Sequence, residues 1–298
     1  MLAFKEGKPG SAGGMAAETF SVEKNVVYAT HDGEELKGTL YRPAGEGPFP
    51  AIVALHGGGW RQASPVVYQY LGPWLAERGF VLFAPVYRSA KVGVPSYPKA
   101  VHDVRAAVQF VKGATSLTRA DPDRVALMGE SAGGHLAALV ALAGEEEIFR
   151  SNAPAGPYAA LSSSVKAAIP IFGVFDLVSQ WRHDLVTRLG DQNIVELFLG
   201  TNPSKDRRIC FDASPMSYCI ERLAKPAFLV AWGTQDDIVD PLTQSVPFVE
   251  ALKQAGVWTR TVIVEGAPHY WAGDPLDEAG SHSGFFAPRL LRFLKARL

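Results

Sequence analysis

The residues most apt for chemistry are Gly129-Glu130-Ser131-Ala132-Gly133, a serine with a glycine two positions away on either side. The apolar run Val125 to Met128 reads as a short buried strand, and the Ala/Leu-rich stretch Leu136 to Leu142 as a helix. Ser131 therefore falls on a strand-to-helix corner. A G-x-S-x-G pentapeptide in that setting lets strand and helix pass close together and holds the hydroxyl exposed above a sheet. A lone serine hydroxyl is a weak nucleophile, so the pattern carries chemistry only if a base and an orienting carboxylate lie elsewhere in the chain.

A second feature is His56-Gly57-Gly58-Gly59-Trp60, at the end of the apolar run Pro50 to Leu55. Three consecutive glycines are entropically costly to order, which a loose turn alone does not explain. Bare backbone N–H groups of Gly58 and Gly59, joined by that of Ala132, would suit the oxygen that becomes negative when Ser131 attacks a carbonyl. His56 is expected to brace this loop rather than act as a base. Glu130 is expected to hydrogen-bond beneath the serine turn.

Two later strand ends supply the missing groups. The stretch FLVAWGTQDDIVDP ends a strand in a turn holding Asp236, Asp237 and Asp240, and VIVEGAPHYW ends the next with His269. Both lie just past carboxyl ends of strands, where open α/β sheets collect their site residues. Of the seven histidines, His269 alone follows the last predicted strand; His31 and His183 fall in polar contexts, His102 and His135 on helices, and His282 in a Ser/Gly-rich loop. The residues themselves leave open which of the three aspartates is the acid. Trp60, Tyr270 and Trp271 flank these groups and are candidate substrate-binding walls, or else core aromatics. Arg88 and Asp103 are expected to tie a strand-end loop to the following helix.

The elements that must position these residues follow a regular rhythm. SVEKNVVYATHDGEELKGTLYRP alternates apolar and polar residues around Asp32-Gly33, the pattern of a hairpin. Strands at PAIVAL, FVLFAP, RVALMG, VKAAIPIF, KPAFLVAWG and TRTVIVEG then alternate with helical stretches, among them QYLGPWLAERG and KAVHDVRAAVQFVKG. This repetition predicts an α/β protein with a mostly parallel central sheet, helices on both faces and an antiparallel hairpin at one edge. Residues 1–20 are expected to be disordered and 21–298 to form a single domain, with a charged helical stretch at about 176–215 inserted as a small cap.

Composition narrows the partners. With 29 Lys and Arg against 30 Asp and Glu, the formal net charge is −1, and 47% of the 298 residues are hydrophobic. This is a globular balance with no basic excess for nucleic acid. Cys210 and Cys219 are too few for a disulfide scaffold, have no metal-ligand spacing, and are expected to be reduced thiols. No apolar run reaches the roughly 18 residues of a membrane span, and the opening residues lack the apolar centre of a secretory signal, so a cytoplasmic location is expected.

The motifs HGGGW and GESAGG together resemble the hormone-sensitive-lipase-like carboxylesterases of the α/β-hydrolase fold, over nearly all of residues 25–298. YRSAKVGVPSYPKAVHDVRAAVQFV, ASPMSY and GTQDDIVDP are similar to the branch that holds bifunctional feruloyl and acetyl xylan esterases, kynurenine formamidases and prolyl-oligopeptidase-like enzymes. Two departures separate the chain from the hormone-sensitive-lipase group: no two-helix N-terminal cap is present, and YRSAKV replaces YRLAPE. The resemblance implies Asp236 as the triad acid, with Asp237 as the fallback. It implies an α/β-hydrolase fold and a serine esterase without cofactor or metal, acting on a small-molecule ester, with short acyl or acetyl groups favoured by the modest cap. Such folds also pair through edge strands and terminal helices, so a homodimer is an open expectation. The same triad serves amide-cleaving relatives, and a ligand-binding protein on a hydrolase scaffold is a further alternative, disfavoured by the presence of His269.

Overall fold

The computed structural model describes residues 19–63, 65–187, 193–221 and 226–298. Residues 1–18, most of the stretch expected to be disordered, lie outside them, as do 188–192 within the expected cap. Eight strands form one sheet: β1 (Phe20–His31), β2 (Glu34–Pro43), β3 (Phe49–Leu55), β4 (Val81–Pro85), β5 (Ala120–Glu130), β6 (Ala167–Ile171), β7 (Ala227–Gly233) and β8 (Thr259–Val264). Their spatial order is β1-β2-β4-β3-β5-β6-β7-β8. β1 and β2 form the antiparallel edge hairpin, turning through Asp32 and Gly33 at φ of 52° and 80°. β2 meets β4 antiparallel, and every pairing from β4 to β8 is parallel.

The inner parallel strands are buried on both faces and so read as continuous apolar runs, whereas the edge strand β8 leaves Arg260, Thr261 and Ile263 exposed. Successive residues still alternate sides. On β7, Phe228, Val230 and Trp232 pack with Phe248, Val249 and Leu252 of the helix Ser245–Gln254, whereas Leu229 and Ala231 join the opposite layer, with Leu290 and Leu294 of the helix His282–Arg297. The helices Lys99–Gly113 and Ala132–Ala143 cover the first face, the second with Leu136 and Leu139, and the short helix Leu71–Ala76 lies on the other.

β3 has β4 on one side and β5 on the other, so the chain reverses direction across the sheet at this point. Open α/β sheets leave a crevice outside the strand carboxyl ends at such a reversal. The glycine loop after β3 and Ser131 after β5 stand on its two sides. One element differs from expectation. The helix after Ser131 starts at Ala132 rather than near Leu136, because Gly133 stays helical against the end of β3 and Gly134 against the end of β6. The described residues of 176–215 hold three short helices, Leu177–Thr187, Ile194–Leu199 and Arg207–Asp212.

Candidate active site

Ser131 sits at φ 53° and ψ −120°, outside the comfortable regions for an L side chain. Its N–H donates to the Ile171 carbonyl at 2.9 Å, and its own carbonyl accepts from His135 N at 3.0 Å, so backbone bonds fix the turn on both sides. The flanking glycines are obligatory for a close approach. A Cβ on Gly133 would collide with the Leu55 and His56 carbonyls, and one on Gly129 with the Gly133 carbonyl.

His269, after β8, completes the arrangement. Its Nδ1–H donates to Asp236 Oδ2 at 2.7 Å, and its Nε2 accepts from the Ser131 hydroxyl at 3.0 Å. An ionised carboxylate only accepts, so the bond to Asp236 fixes the tautomer that leaves Nε2 free to take a proton. The other Asp236 oxygen, Oδ1, accepts from the N–H groups of Ile238 and Val239 at 3.1 and 2.9 Å, an Asx turn that locks the carboxylate. Of the three aspartates in this loop, only Asp236 reaches His269. Asp237 is exposed, with its carbonyl accepting from His183, and Asp240 accepts from Leu242 N within its own turn.

The glycine loop runs at positive φ from Gly58 on, easy for glycine and rare only for its last residue, a tryptophan. Gly58 and Gly59 have φ of 101° and 58°, and Trp60 follows at 56°. A Cβ on Gly58 would press on the Gln62 carbonyl at 2.7 Å. Gly58, Gly59, Ser131 and Ala132 border one cavity of about 140 Å³. Its apolar wall is Val174, Ile194, Ile238 and Val239, and Tyr270 stands at the rim. Two larger hollows, one beside Lys112 and Lys166 and one beside Trp181 and Phe211, do not touch Ser131. Ala132 begins the helix Ala132–Ala143, whose N-terminal dipole favours negative charge on this side of the cavity.

The supporting shell matches most of its expected roles. Glu130 accepts from Gly57 N beneath the loop, and burial pushes its carboxyl above the ordinary range while that N–H pulls the other way. His56 stacks on Tyr87 at 4.4 Å and donates from Nδ1 to the Gly57 carbonyl at 2.8 Å; burial lowers its pKa to about 4, so it is neutral. Arg88 grips Asp103 through Nε and a terminal nitrogen at 2.8–3.1 Å. The three aromatics divide. Tyr270 is 62% exposed and lines the cavity. Trp60 touches the cavity but is wholly buried, its indole donating to His135. Trp271 packs in the core against Phe172 and Phe286 and does not line the cavity, because its ring points away from the crevice.

Sequence reasoning missed Phe172, whose ring lies 4.6 Å from that of His269, and which adopts φ 37° just after β6. Its place after a strand end was the available signal. Of the seven described non-glycine residues with positive φ, four belong to this site: Trp60, Ser131, Phe172 and Tyr270. It missed also the cap contacts. Gln180 donates to the Ile238 carbonyl and His183 to that of Asp237, so the helix Leu177–Thr187 grips the acid loop. Among the described residues no group of three or more His, Cys, Asp or Glu is placed to hold a metal, and no helix is long and apolar enough to cross a membrane. Cys210 and Cys219 are both free.

A doubly covered parallel sheet, with a strained serine at its central strand end and a histidine–aspartate pair from the last two strand ends, is the α/β-hydrolase fold. The comparisons agree. A family model, BD-FAE, matches residues 39–252, most of the chain, and the chain belongs to that family. It is 30% identical over 216 residues to "Probable carboxylic ester hydrolase LipM" of Mycobacterium tuberculosis, covering 70% of this chain and 46% of that protein. It is 26% identical to "Probable isoprenylcysteine alpha-carbonyl methylesterase ICMEL1" of Arabidopsis thaliana, covering 83% and 51%. The chain thus spans about half the length of the curated relatives it matches. Among solved structures, propionate-bound esterase 2 of Thermogutta terrifontis superposes with a TM-score of 0.72 at 27% identity, covering 93% of this chain and 94% of that one.

Proposed function

We propose that this chain is a serine carboxylesterase for short-chain acyl esters. The observation that carries the reading is the unbroken relay Asp236 Oδ2, His269, Ser131 Oγ at 2.7 and 3.0 Å, with the Gly58–Gly59 turn beside it. Ser131 attacks the ester carbonyl as His269 Nε2 takes its proton. The carbonyl oxygen, now negative, receives hydrogen bonds from Gly58, Gly59 and Ala132. The imidazolium, steadied by Asp236, returns the proton to the leaving alcohol, and water deacylates Ser131 by the same route.

A space of about 140 Å³ closed by Val174, Ile194, Ile238 and Val239 suits a short acyl chain. The structural neighbour supports this reading, since Thermogutta terrifontis esterase 2 is seen bound to propionate, bound to butyrate and phosphorylated by paraoxon. Residues 176–215 act in this reading as a small cap over the crevice of a single domain, and Tyr270 and Trp60 contribute to its walls. The substrate is a small-molecule ester. An acetyl preference rests on cavity size alone, and amide cleavage has no observation in its favour.

The test is intact mass after fluorophosphonate treatment, with turnover of p-nitrophenyl acyl esters from acetyl to octanoyl. Wild type is expected to gain one adduct and to turn over short chains fastest. Ser131→Ala is expected to stay folded, gain no adduct and lose about 10⁴- to 10⁶-fold in kcat. A folded Ser131→Ala with wild-type turnover overturns the nucleophile, and fastest turnover on octanoyl overturns the short-chain reading.

A further inference from the structure

His135 lies four residues past Ser131 on the helix Ala132–Ala143, wholly buried in an otherwise apolar layer. An imidazole in such a place loses its water and must find partners in the protein. It finds one for each nitrogen. Trp60 Nε1 donates to His135 Nδ1 at 3.1 Å, and His135 Nε2 is 2.8 Å from the Ala213 carbonyl. The indole N–H can only donate, so Nδ1 carries no proton and Nε2–H donates to Ala213. Burial keeps the ring neutral, with a pKa lowered to about 4.

The two partners belong to the parts of the molecule that meet over the serine. Trp60 ends the glycine loop in a left-handed conformation that a bulky residue rarely adopts. Ala213 follows the last cap helix, and the cap touches the same loop twice more. Phe198 stacks on the Trp60 indole at 4.6 Å, and Ile194 lies 3.7 Å from where a Cβ on Gly59 would be. His135 packs edge-on to both Trp60 and Phe198, at 5.1 and 5.4 Å.

We propose that His135 is a positioning residue for the reaction: through Trp60 it holds the Gly58–Gly59 turn in the form that aims its amides at the developing oxyanion, with the cap as its anchor. The proposal rests on the serine esterase reading. Without the His135 acceptor, Trp60 has a buried unpaired donor and less to oppose the relaxation of its backbone. The amides then drift from the position where charge develops, and transition-state stabilisation falls while ground-state binding is retained.

The experiment compares wild type, His135→Phe, His135→Asn and Trp60→Phe on p-nitrophenyl butyrate, with inhibition by a trifluoromethyl ketone that forms a hemiketal oxyanion on serine. His135→Phe is expected to lower kcat about 10- to 100-fold with KM within about threefold. Its Ki for the ketone should rise in the same ratio as kcat/KM falls, with the apparent pKa in the kcat profile unmoved because His269 and Asp236 are untouched. His135→Asn, which can accept from the indole, should recover part of the loss. Trp60→Phe removes the same bond from the other side and keeps the test alive if His135→Phe does not fold. The double variant should then be little worse than the poorer single one. Unchanged kcat and ketone Ki in folded variants, with only a lower Tm, would reduce His135 to core packing and overturn the proposal. Wild type that neither hydrolyses esters nor takes up a fluorophosphonate would instead overturn the esterase reading, and this inference with it.

Discussion

Two buried histidine–aspartate pairs in this protein have the same hydrogen bond and opposite consequences. His269 donates from Nδ1 to Asp236 Oδ2 at 2.7 Å, and His31 donates from Nδ1 to Asp103 Oδ1 at the same distance. Both pairs are almost fully shielded from solvent. They differ in what else holds the carboxylate. Asp103 is gripped by the Arg88 guanidinium through Nε and a terminal nitrogen, and by the Arg88 N–H at 2.9 Å. Asp236 is held by two backbone N–H groups, those of Ile238 and Val239. Dipoles leave the Asp236 charge available to an imidazolium, whereas Arg88 has already neutralised Asp103. A serine stands on the far nitrogen of His269, while the Asp103 cluster ends in Asp32 and Lys99 at the hairpin turn. A buried histidine–aspartate contact is therefore no signature by itself; the counter-charge and the third group decide its use.

Exchanging the two aspartates gives the sharpest contrast. Asp236→Asn is expected to lower kcat by about 10⁴-fold with little change in Tm, since the amide keeps the shape but favours the wrong imidazole tautomer. Asp103→Ala is expected to do the reverse, destabilising the fold by about 3–5 kcal/mol because Arg88 is left buried without its main partner. Its folded fraction should retain most of the turnover. Steady-state kinetics beside chemical denaturation reads both, and equal loss of kcat in the two variants would erase the distinction.

Acid acts on a third set of histidines, those without a carboxylate partner of their own. Burial pushes His56, His102 and His135 down to about 4 from an ordinary 6.5, with Arg105 adding to the effect at His102. Unfolded, these rings take up protons as pH falls through 6.5; folded, they do so only near 4. The stability tied to their neutral forms is complete above pH 6.5 and is lost progressively from there to about 4. Thermal melts between pH 7.5 and 4.5 should show Tm level at first and then falling, and a flat profile contradicts the assignment.

The smallest effect concerns what covers each pair. Phe172 and Tyr270 flank the His269 ring at 4.6 and 4.4 Å, and Tyr270 is the exposed one. Tyr270→Ala should raise KM about threefold and change kcat less than that, because a rim contact binds ground state and transition state alike. A kcat loss comparable to that of Asp236→Asn would mean that Tyr270 orients the imidazole.

Most of the sheet was legible because its strands are apolar runs punctuated by glycine and proline, and because loops after strand carboxyl ends carry the site. Ser131, His269 and the glycine loop each announce themselves by local context. Asp236 could not be separated from Asp237 and Asp240 by residue type, since the choice depends on which side chain the Asx turn directs at β8. The role of His135 was illegible for another reason. Its partners, Trp60 and Ala213, are 75 and 78 residues away, and a helix position in an apolar stretch gives no sign of an indole on one side and a carbonyl on the other. Trp271 misled for the converse reason: adjacency to His269 in sequence implied adjacency to the crevice, yet the chain turns at Tyr270, φ 66°, and sends the next ring inward.

The partners in the relay are far apart along the chain, Ser131 and His269 at a sequence separation of 138 and Asp236 and His269 at one of 33. His269 hangs from β8, an edge strand that follows the other seven described strands in sequence. Local order around Ser131 can therefore form without the relay, because His269 reaches the serine only once β8 has docked beside β7. Assembly of the relay on refolding therefore reports the docking of β8 on the sheet rather than the amount of secondary structure.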